Sequence, residues 1–152
     1  MCNLKVEAQL LSPDEAKIDS VVMYHLEAHL VKPDKEALKG SKWIIRDGMG
    51  NKTLRFNNNM KFKLKNNGVM GRYENFSGSW YIFNEYIVLE LKKEKDPIYH
   101  IRYNGKIILV DQESINVMRR LMMAFITKDQ LLSGITEETV FGFVKGYEND
   151  DK

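Results

Sequence analysis

The stretch of residues 40–111 constrains the fold most, because short β-type segments alternate there with turn residues. Residues 79–83 and 86–92 are rich in aromatic and β-branched side chains and are separated by Asn84-Glu85, which predicts a hairpin. In the second arm apolar and polar residues alternate, as in a strand with one buried face. Asn104-Gly105 is the strongest hairpin signal in the chain, because this dipeptide suits a two-residue turn.

Further short strands are predicted on both sides of this hairpin, at 43–46, 53–57, 61–65, 99–103 and 107–110. Turn residues separate them, at Asp47-Gly48, 57–59 and 66–68. Short strands at this close spacing predict an antiparallel meander that curls into a barrel or a two-sheet sandwich. The fold class is therefore mostly β, within the α+β class.

Two helices are expected outside this strand core. Ser12 and Glu15 form a capping box that begins a helix over 12–31, and its apolar stripe is expected to pack on the sheet or to close one end of the barrel. The spacing of apolar residues over 113–126 predicts a second helix, with a strand pair through 116–126 as the open alternative. A closing strand is predicted over 139–147. At 152 residues the chain is expected to form one domain, with the helix and closing strand at 112–147 completing the core of 40–111.

Charge is distributed unevenly along the chain. Residues 39–72 hold nine basic residues and a single acidic one, although the net charge of the whole protein is only +2. Such asymmetry predicts a positive surface that attracts an anionic partner. The candidate partner-binding residues are Arg55, Lys61, Lys63, Lys65 and Arg72. The alternative reading is that these lysines keep an exposed strand soluble and protect it from edge pairing.

Several short motifs in residues 40–111 follow one another in an order that is also found in a known family. They are Gly40-Ser-Lys-Trp43, Thr53-Leu-Arg-Phe56, Lys61-Phe62-Lys63, Gly78-Ser-Trp80 and the strand pair at 99–110. This order resembles that of small bacterial lipocalin-like domains, which are up-and-down barrels of the calycin type. The resemblance implies a lipocalin-like barrel that binds a small apolar ligand, or serves as a scaffold, without catalysis. The residues expected to line its interior or mouth are Trp43, Phe56, Phe62, Trp80, Ile82, Tyr99, Ile101 and Tyr103, with six of them as the ligand-binding candidates: Trp43, Phe56, Phe62, Trp80, Tyr99 and Tyr103.

No motif for catalysis or a cofactor stands out in the sequence. There is no phosphate-binding glycine loop and no nucleophile elbow, so the protein is not expected to be an enzyme or to need a cofactor. His25 and His29 have the i, i+4 spacing of a helical metal pair, but the favoured interpretation is two ordinary helix histidines and no metal.

The cellular location is inferred from what the N-terminal sequence contains. No apolar run approaches a membrane span, and the first residues lack a signal core, so a cytoplasmic location is expected. The alternative is a processed lipoprotein carrying its lipid on Cys2, or a secreted chain whose targeting segment is absent here.

Two functions follow from these observations. The first is a non-enzymatic binding protein for a small apolar or amphipathic ligand, in or at the mouth of the barrel. The second is an interaction or inhibitor module that docks the basic region 39–72 on an acidic protein surface. Nucleic acid is a less favoured partner, because Phe56 and Phe62 are expected to face away from the lysines.

Overall fold

The computed structural model describes residues 13–46, 50–68, 73–125 and 141–146. These residues form three helices and eight strands. The helices are α1 (Pro13–Ala28), α2 (Lys35–Leu38) and α3 (Gln112–Phe125). The strands are β1 (Lys42–Arg46), β2 (Gly50–Phe56), β3 (Lys61–Gly68), β4 (Tyr73–Phe83), β5 (Tyr86–Leu91), β6 (Glu94–Tyr103), β7 (Lys106–Val110) and β8 (Val144–Lys145).

The eight strands form one antiparallel sheet in which seven follow each other as a meander. Strand neighbours run in the order β7-β6-β5-β4-β3-β2-β1-β8. Asn84, and the pair Asn104 and Gly105, have positive φ angles in the two tight turns, as two-residue hairpins require. The prediction of a mostly β antiparallel meander is thereby confirmed.

A short segment, residues 142–146, closes the sheet into a nearly complete barrel, and we call it the seam. Phe143 exchanges two backbone hydrogen bonds with Leu109 of β7, with N···O distances of 2.7 and 2.9 Å. Val144 and Lys145 then pair with β1, and the Gly146 N–H donates to the Lys42 carbonyl at 2.8 Å. The first and last strands of the meander are thus joined through a few residues, which satisfies part of each free sheet edge.

Apolar residues that pair across neighbouring strands fill the inner face of the barrel, since directly opposed residues share a face. The paired sets are Trp43 with Leu54, Phe56 with Phe62, Trp80 with Leu89, and Ile87 with Ile98. Phe56 and Trp80 meet edge to face at 5.1 Å between ring centroids, and the Trp80 Nε1–H donates to the Asn57 carbonyl at 3.4 Å. The two tryptophan segments therefore belong to one interior, as predicted.

The contacts divide the chain into two compact units. One contains residues 1–29 and 113–141, with α1 and nearly all of α3, and the other contains residues 30–112 and 142–152, with the barrel. In the helical unit Arg119 and Asp19 form an ion pair at 3.2 Å. The expectations of a single domain, and of a helix packed on the sheet, stay predictions.

Both predicted long helices are present, with changed limits. The first ends at Ala28 and not at residue 31, because Leu30 leaves the helix to bridge Ile101 and the Val31 N–H donates to the His100 carbonyl at 2.9 Å. Its stripe of Ile18, Val22 and Leu26 is buried. Residues 112–125 are helical, so the alternative of a strand pair there is wrong. Ser12 of the predicted capping box and residue 126 lie outside the described residues.

Several strand limits also differ from the predictions. Residues 66–68 continue β3 and pair with β2, and the first two of them also pair with β4, so the turn predicted there is wrong. β6 begins at Glu94 and includes Pro97, which pairs with Val88 of β5. In the predicted closing strand only Val144–Lys145 is a strand among residues 141–146, and residues 139, 140 and 147 are outside the described part, as is the Asp47-Gly48 turn. None of the helices that the structure describes has the length and apolar character to cross a membrane.

Replacing Gly142 by Ala is expected to weaken the seam. A Cβ at this position would stand 2.6 Å from both the Leu109 carbonyl oxygen and the Ile108 Cγ2 atom, so the seam or β7 must shift. The expected loss is about 1–3 kcal/mol of unfolding free energy, the usual cost of overpacking. Chemical denaturation measures it. The control is Ser77→Ala on the exposed part of β4, whose unfolding free energy should stay within about 0.5 kcal/mol of wild type. Equal denaturation midpoints for the two variants would contradict the close packing of Gly142 against β7.

Candidate functional site

Four of the six predicted ligand-binding residues face the barrel interior. Trp43, Phe56, Phe62 and Trp80 are each at most 4% exposed. Three of them pack together: Phe56 pairs with Phe62 across β2 and β3, and its ring contacts Trp80. These three fill the core, whereas Trp43 also lines a cavity at one end of the barrel.

Tyr99 and Tyr103 lie on the opposite face of β6 and do not join that set. Alternation along the strand places Ile98, His100 and Arg102 on the inner face, and the Tyr99 ring packs edge to face on Tyr86 at 5.2 Å. Ile101 is likewise on the outer face, where it is 2% exposed and bridges Leu30. The structure therefore places these residues of β6 on the outer face and not in the interior, and a ligand-binding role for them stays a prediction.

The cavity has a volume of about 590 Å³ and lies entirely within the barrel unit. Strand residues form one side, and residues 31–38, which include α2, form the other. Apolar side chains make up one part of its lining: Val31, Ala37, Leu38, Trp43 and Ile107. Polar side chains make up the rest: Lys32, Asp34, His100, Arg102, Lys106 and Lys145. Apolar and polar side chains contribute about equally to the lining, so the cavity can contact both an apolar and a polar part of a small molecule.

Four lining residues come from four strands, and we call them the cavity row: Trp43, Lys145, Ile107 and Arg102. Trp43 pairs with Lys145, and Ile107 pairs with Arg102. The bridge between Leu109 and Phe143, two residues away from Ile107 and Lys145, joins the two pairs through the seam. The seam thus contributes a cation to the row.

Hydrogen bonds fix the side of the cavity formed by residues 31–41. The Trp43 Nε1–H donates to the Ser41 hydroxyl oxygen at 2.8 Å, and that hydroxyl donates to the Leu38 carbonyl at the end of α2. The Gly40 N–H donates to the Phe56 carbonyl at 2.7 Å. One buried hydroxyl therefore ties the indole of β1 to α2 and holds both against the cavity.

His100 is buried on the inner face and connects β6 to residue 31. Its Nδ1–H donates to the Val31 carbonyl at 2.8 Å, since a carbonyl oxygen can only accept. Burial lowers the pKa of His100 from its ordinary value, the Val31 hydrogen bond opposes that shift, and the positive charge of Arg102 adds to the lowering. The ring is thus held neutral, with Nε2 as the acceptor.

Sequence reasoning missed His100, Arg102, Ile107 and Lys145 as site residues. Both faces of β6 are covered near His100, so apolar alternation there does not identify the inner face. Lys145 lies at the far end of the chain, where no local pattern links it to β6. The Asn104-Gly105 turn was the available signal, because it sets the register that pairs Arg102 with Ile107.

The two helix histidines interact with each other. His29 Nδ1 lies 2.7 Å from the carbonyl oxygen of His25, and the rings stack at 6.1 Å between centroids. Burial, and then the neighbouring His29, lower the pKa of His25. Within the described ranges no group of three or more histidine, cysteine or acidic residues is placed to hold a metal ion.

The basic candidates of β2 and β3 share the outer face of the sheet. Arg55 pairs directly with Lys63, and Lys61 and Lys65 follow at intervals of two residues along β3. The three lysines are exposed and Arg55 is half-buried. We call these four residues the basic strip; Arg72, the fifth candidate, lies outside the described residues. Phe56 and Phe62 are on the opposite face, as the alternation predicted.

Acidification is expected to destabilise the protein through His100. Because its pKa is lower in the folded than in the unfolded chain, the unfolded chain binds more protons as the pH falls below about 6.5, and the unfolding free energy decreases there. This loss is absent above that pH. Urea denaturation between pH 7.5 and 5.5 measures the slope.

The variant His100→Asn should flatten this pH dependence, because its amide can still donate to the Val31 carbonyl but does not titrate. His25→Asn is the comparison: it removes the other histidine whose pKa is lowered and leaves the His100 contribution in place. A slope in His100→Asn equal to that of wild type would show that His100 does not titrate as described.

Comparisons with known proteins find no family model, no curated protein and no solved structure that matches this chain. The antiparallel, nearly closed barrel is compatible with the lipocalin-like resemblance of residues 40–111. With no homologue to confirm it, the lipocalin-like family is a resemblance in strand order and motif, and the barrel with its end cavity is what the structure establishes.

Proposed function

We propose that this protein is a non-enzymatic binding protein that takes a small amphipathic molecule into the cavity at the end of its barrel. The observation that carries the proposal is the cavity itself. Its volume of about 590 Å³ is within the range of small-molecule sites, roughly 300–1,000 Å³. Its lining includes buried apolar residues such as Leu38 and Trp43 and exposed charged residues such as Arg102 and Lys145, so an apolar body and a polar head can both be accommodated.

The polar groups of the lining favour binding over catalysis. His100 has its Nδ1–H committed to the Val31 carbonyl. Asp34, the acidic residue of the lining, accepts a hydrogen bond from the Glu36 N–H at 3.1 Å as the cap of α2. An acid–base pair needs two titratable groups within reach of one substrate atom. The lining residues offer one neutral histidine and one capping carboxylate, which supports a site that orients a ligand without reacting with it.

Filling the cavity should remove ligand binding. Ala37 lies on α2 and lines the cavity, so Ala37→Phe places a ring in the space that a ligand would occupy. We expect at least a tenfold loss of affinity for amphipathic probes such as 4-phenylbutan-1-ol. Trp43 lines the cavity, so binding to the wild type is read as a change in tryptophan fluorescence.

The matched control is Ala16→Phe, which makes the same substitution at an exposed alanine of α1 outside the cavity. It should bind like wild type. Equal affinities for Ala37→Phe and wild type would place the bound probe elsewhere and would contradict the proposal.

A second candidate function uses the basic strip as a docking surface for an acidic partner. Its specific support is the register, which brings Arg55 and Lys63 side by side and places Lys61 and Lys65 on the same face. Serine and asparagine residues, not acidic ones, oppose the three lysines on β4, so the residues directly opposite them add no negative charge. An outer face of this kind attracts a polyanionic surface, with a strong dependence on salt.

Charge reversal tests this second function. The triple variant with Lys61, Lys63 and Lys65 each changed to Glu should lose retention on immobilised poly-glutamate, whereas wild type is retained at low salt and elutes as salt rises. The control changes Lys17, Lys93 and Lys95 to Glu, three exposed lysines away from the strip, with the same change of net charge. If both triple variants elute at the same salt concentration, retention depends on net charge and not on the basic strip, and the second function is contradicted.

A further inference from the structure

We propose that the cavity selects organic anions, with the anionic group of the ligand held between Lys145 and Arg102 of the cavity row. This inference rests on the proposed binding function and specifies the chemical class of its ligand. The predicted ligand has an apolar body and one negatively charged head, such as a carboxylate.

The balance of charge around the cavity supports an anion. Four basic residues line it: Lys32, Arg102, Lys106 and Lys145. Asp34 is the acidic member of the lining, and its carboxylate already accepts the Glu36 N–H. With His100 neutral, the lining carries an excess of three positive charges, and such a concave, partly apolar site concentrates anions.

Two of these cations come from the segments on either side of β7. Arg102 pairs with Ile107 of β7, and Lys145 belongs to the seam, which bonds to β7 at Leu109. Neighbouring strands are about 4.8 Å apart, so the two backbones stand roughly 10 Å from each other, within reach of two long side chains that converge on one anion. The guanidinium of Arg102 can form paired hydrogen bonds with a carboxylate, and the Lys145 ammonium adds a mobile donor.

The remaining lining determines the orientation of the ligand. Trp43 ends the cavity row, and Val31, Ala37 and Leu38 face it across the cavity as apolar groups. The unprotonated Nε2 of His100 repels a carboxylate oxygen, because both are acceptors. The anionic head therefore stays at Arg102 and Lys145, and the apolar body lies against the indole of Trp43 and α2.

Three probes that share one body and differ in the head test this selectivity: 4-phenylbutanoate, 4-phenylbutan-1-ol and 4-phenylbutylamine. Titration calorimetry on the full chain should show the carboxylate binding about 10- to 100-fold tighter than the alcohol, the range expected for hydrogen bonds to a charged group. The amine should bind most weakly. The preference for the carboxylate should shrink as salt is added.

The double variant Arg102→Gln and Lys145→Gln should lose the preference for the carboxylate and keep its affinity for the alcohol. The control, Lys93→Gln with Lys95→Gln, removes two exposed charges at the β5–β6 turn and should keep the preference. Both variants change exposed side chains, and circular dichroism verifies that each is folded. A double variant that still prefers the carboxylate would overturn the role of these two residues.

The failures of the two proposals are distinguishable. If the alcohol binds as tightly as the carboxylate and Ala37→Phe weakens both, the cavity binds small molecules but anion selectivity is overturned. If none of the three probes binds the folded protein, the proposed binding function fails together with the selectivity.

Discussion

Closure of the sheet by the seam is the interaction on which the rest of the structure depends. An open seven-stranded meander would leave β7 and β1 as free edges, with unpaired backbone groups along both. Residues 142–146 satisfy part of each edge at once: Phe143 bonds to Leu109, and Val144, Lys145 and Gly146 meet β1. The inner faces of all eight strands then surround a shared interior, which buries Trp80 and Phe56 almost completely.

The cavity is a consequence of that closure and of the chain that precedes β1. Residues 31–41 run from β6, where Val31 bonds to His100, to β1, where Ser41 joins Trp43 to α2. The cavity row lines the barrel end beside them, and the seam contributes Lys145 to that row. The same contacts that complete the barrel therefore create the recess in which we propose that an amphipathic anion binds.

The sequence allowed the strand order to be predicted much better than the site. Asn104-Gly105 and Asn84-Glu85 are local turn signals with a direct steric cause, and both hairpins form where they predict. In β6, by contrast, Tyr99, Ile101 and Tyr103 are the apolar set, yet His100 and Arg102 face the interior. A strand buried on both faces gives no alternation that identifies the inner one, and Ile101, on the outer face, is as fully buried as an interior residue.

Positions that come together from distant parts of the chain were not predictable for a different reason. Val31, His100 and Lys145 meet around one cavity although they are separated by tens of residues, and only the closed topology relates them. Composition also gave a wrong prediction at residues 66–68. This segment has the composition of a turn, but its pairing with β2 and β4 keeps it extended.

Lys145 belongs to two structures, since its backbone is part of the seam and its side chain is part of the cavity lining. Thermodynamic linkage then connects them: a molecule that contacts Lys145 in the closed barrel loses that contact when the 142–146 segment detaches. A ligand of the kind proposed would therefore stabilise the pairing of the 142–146 segment with β1. Detachment of that segment would in turn lower the affinity of the cavity for such a ligand.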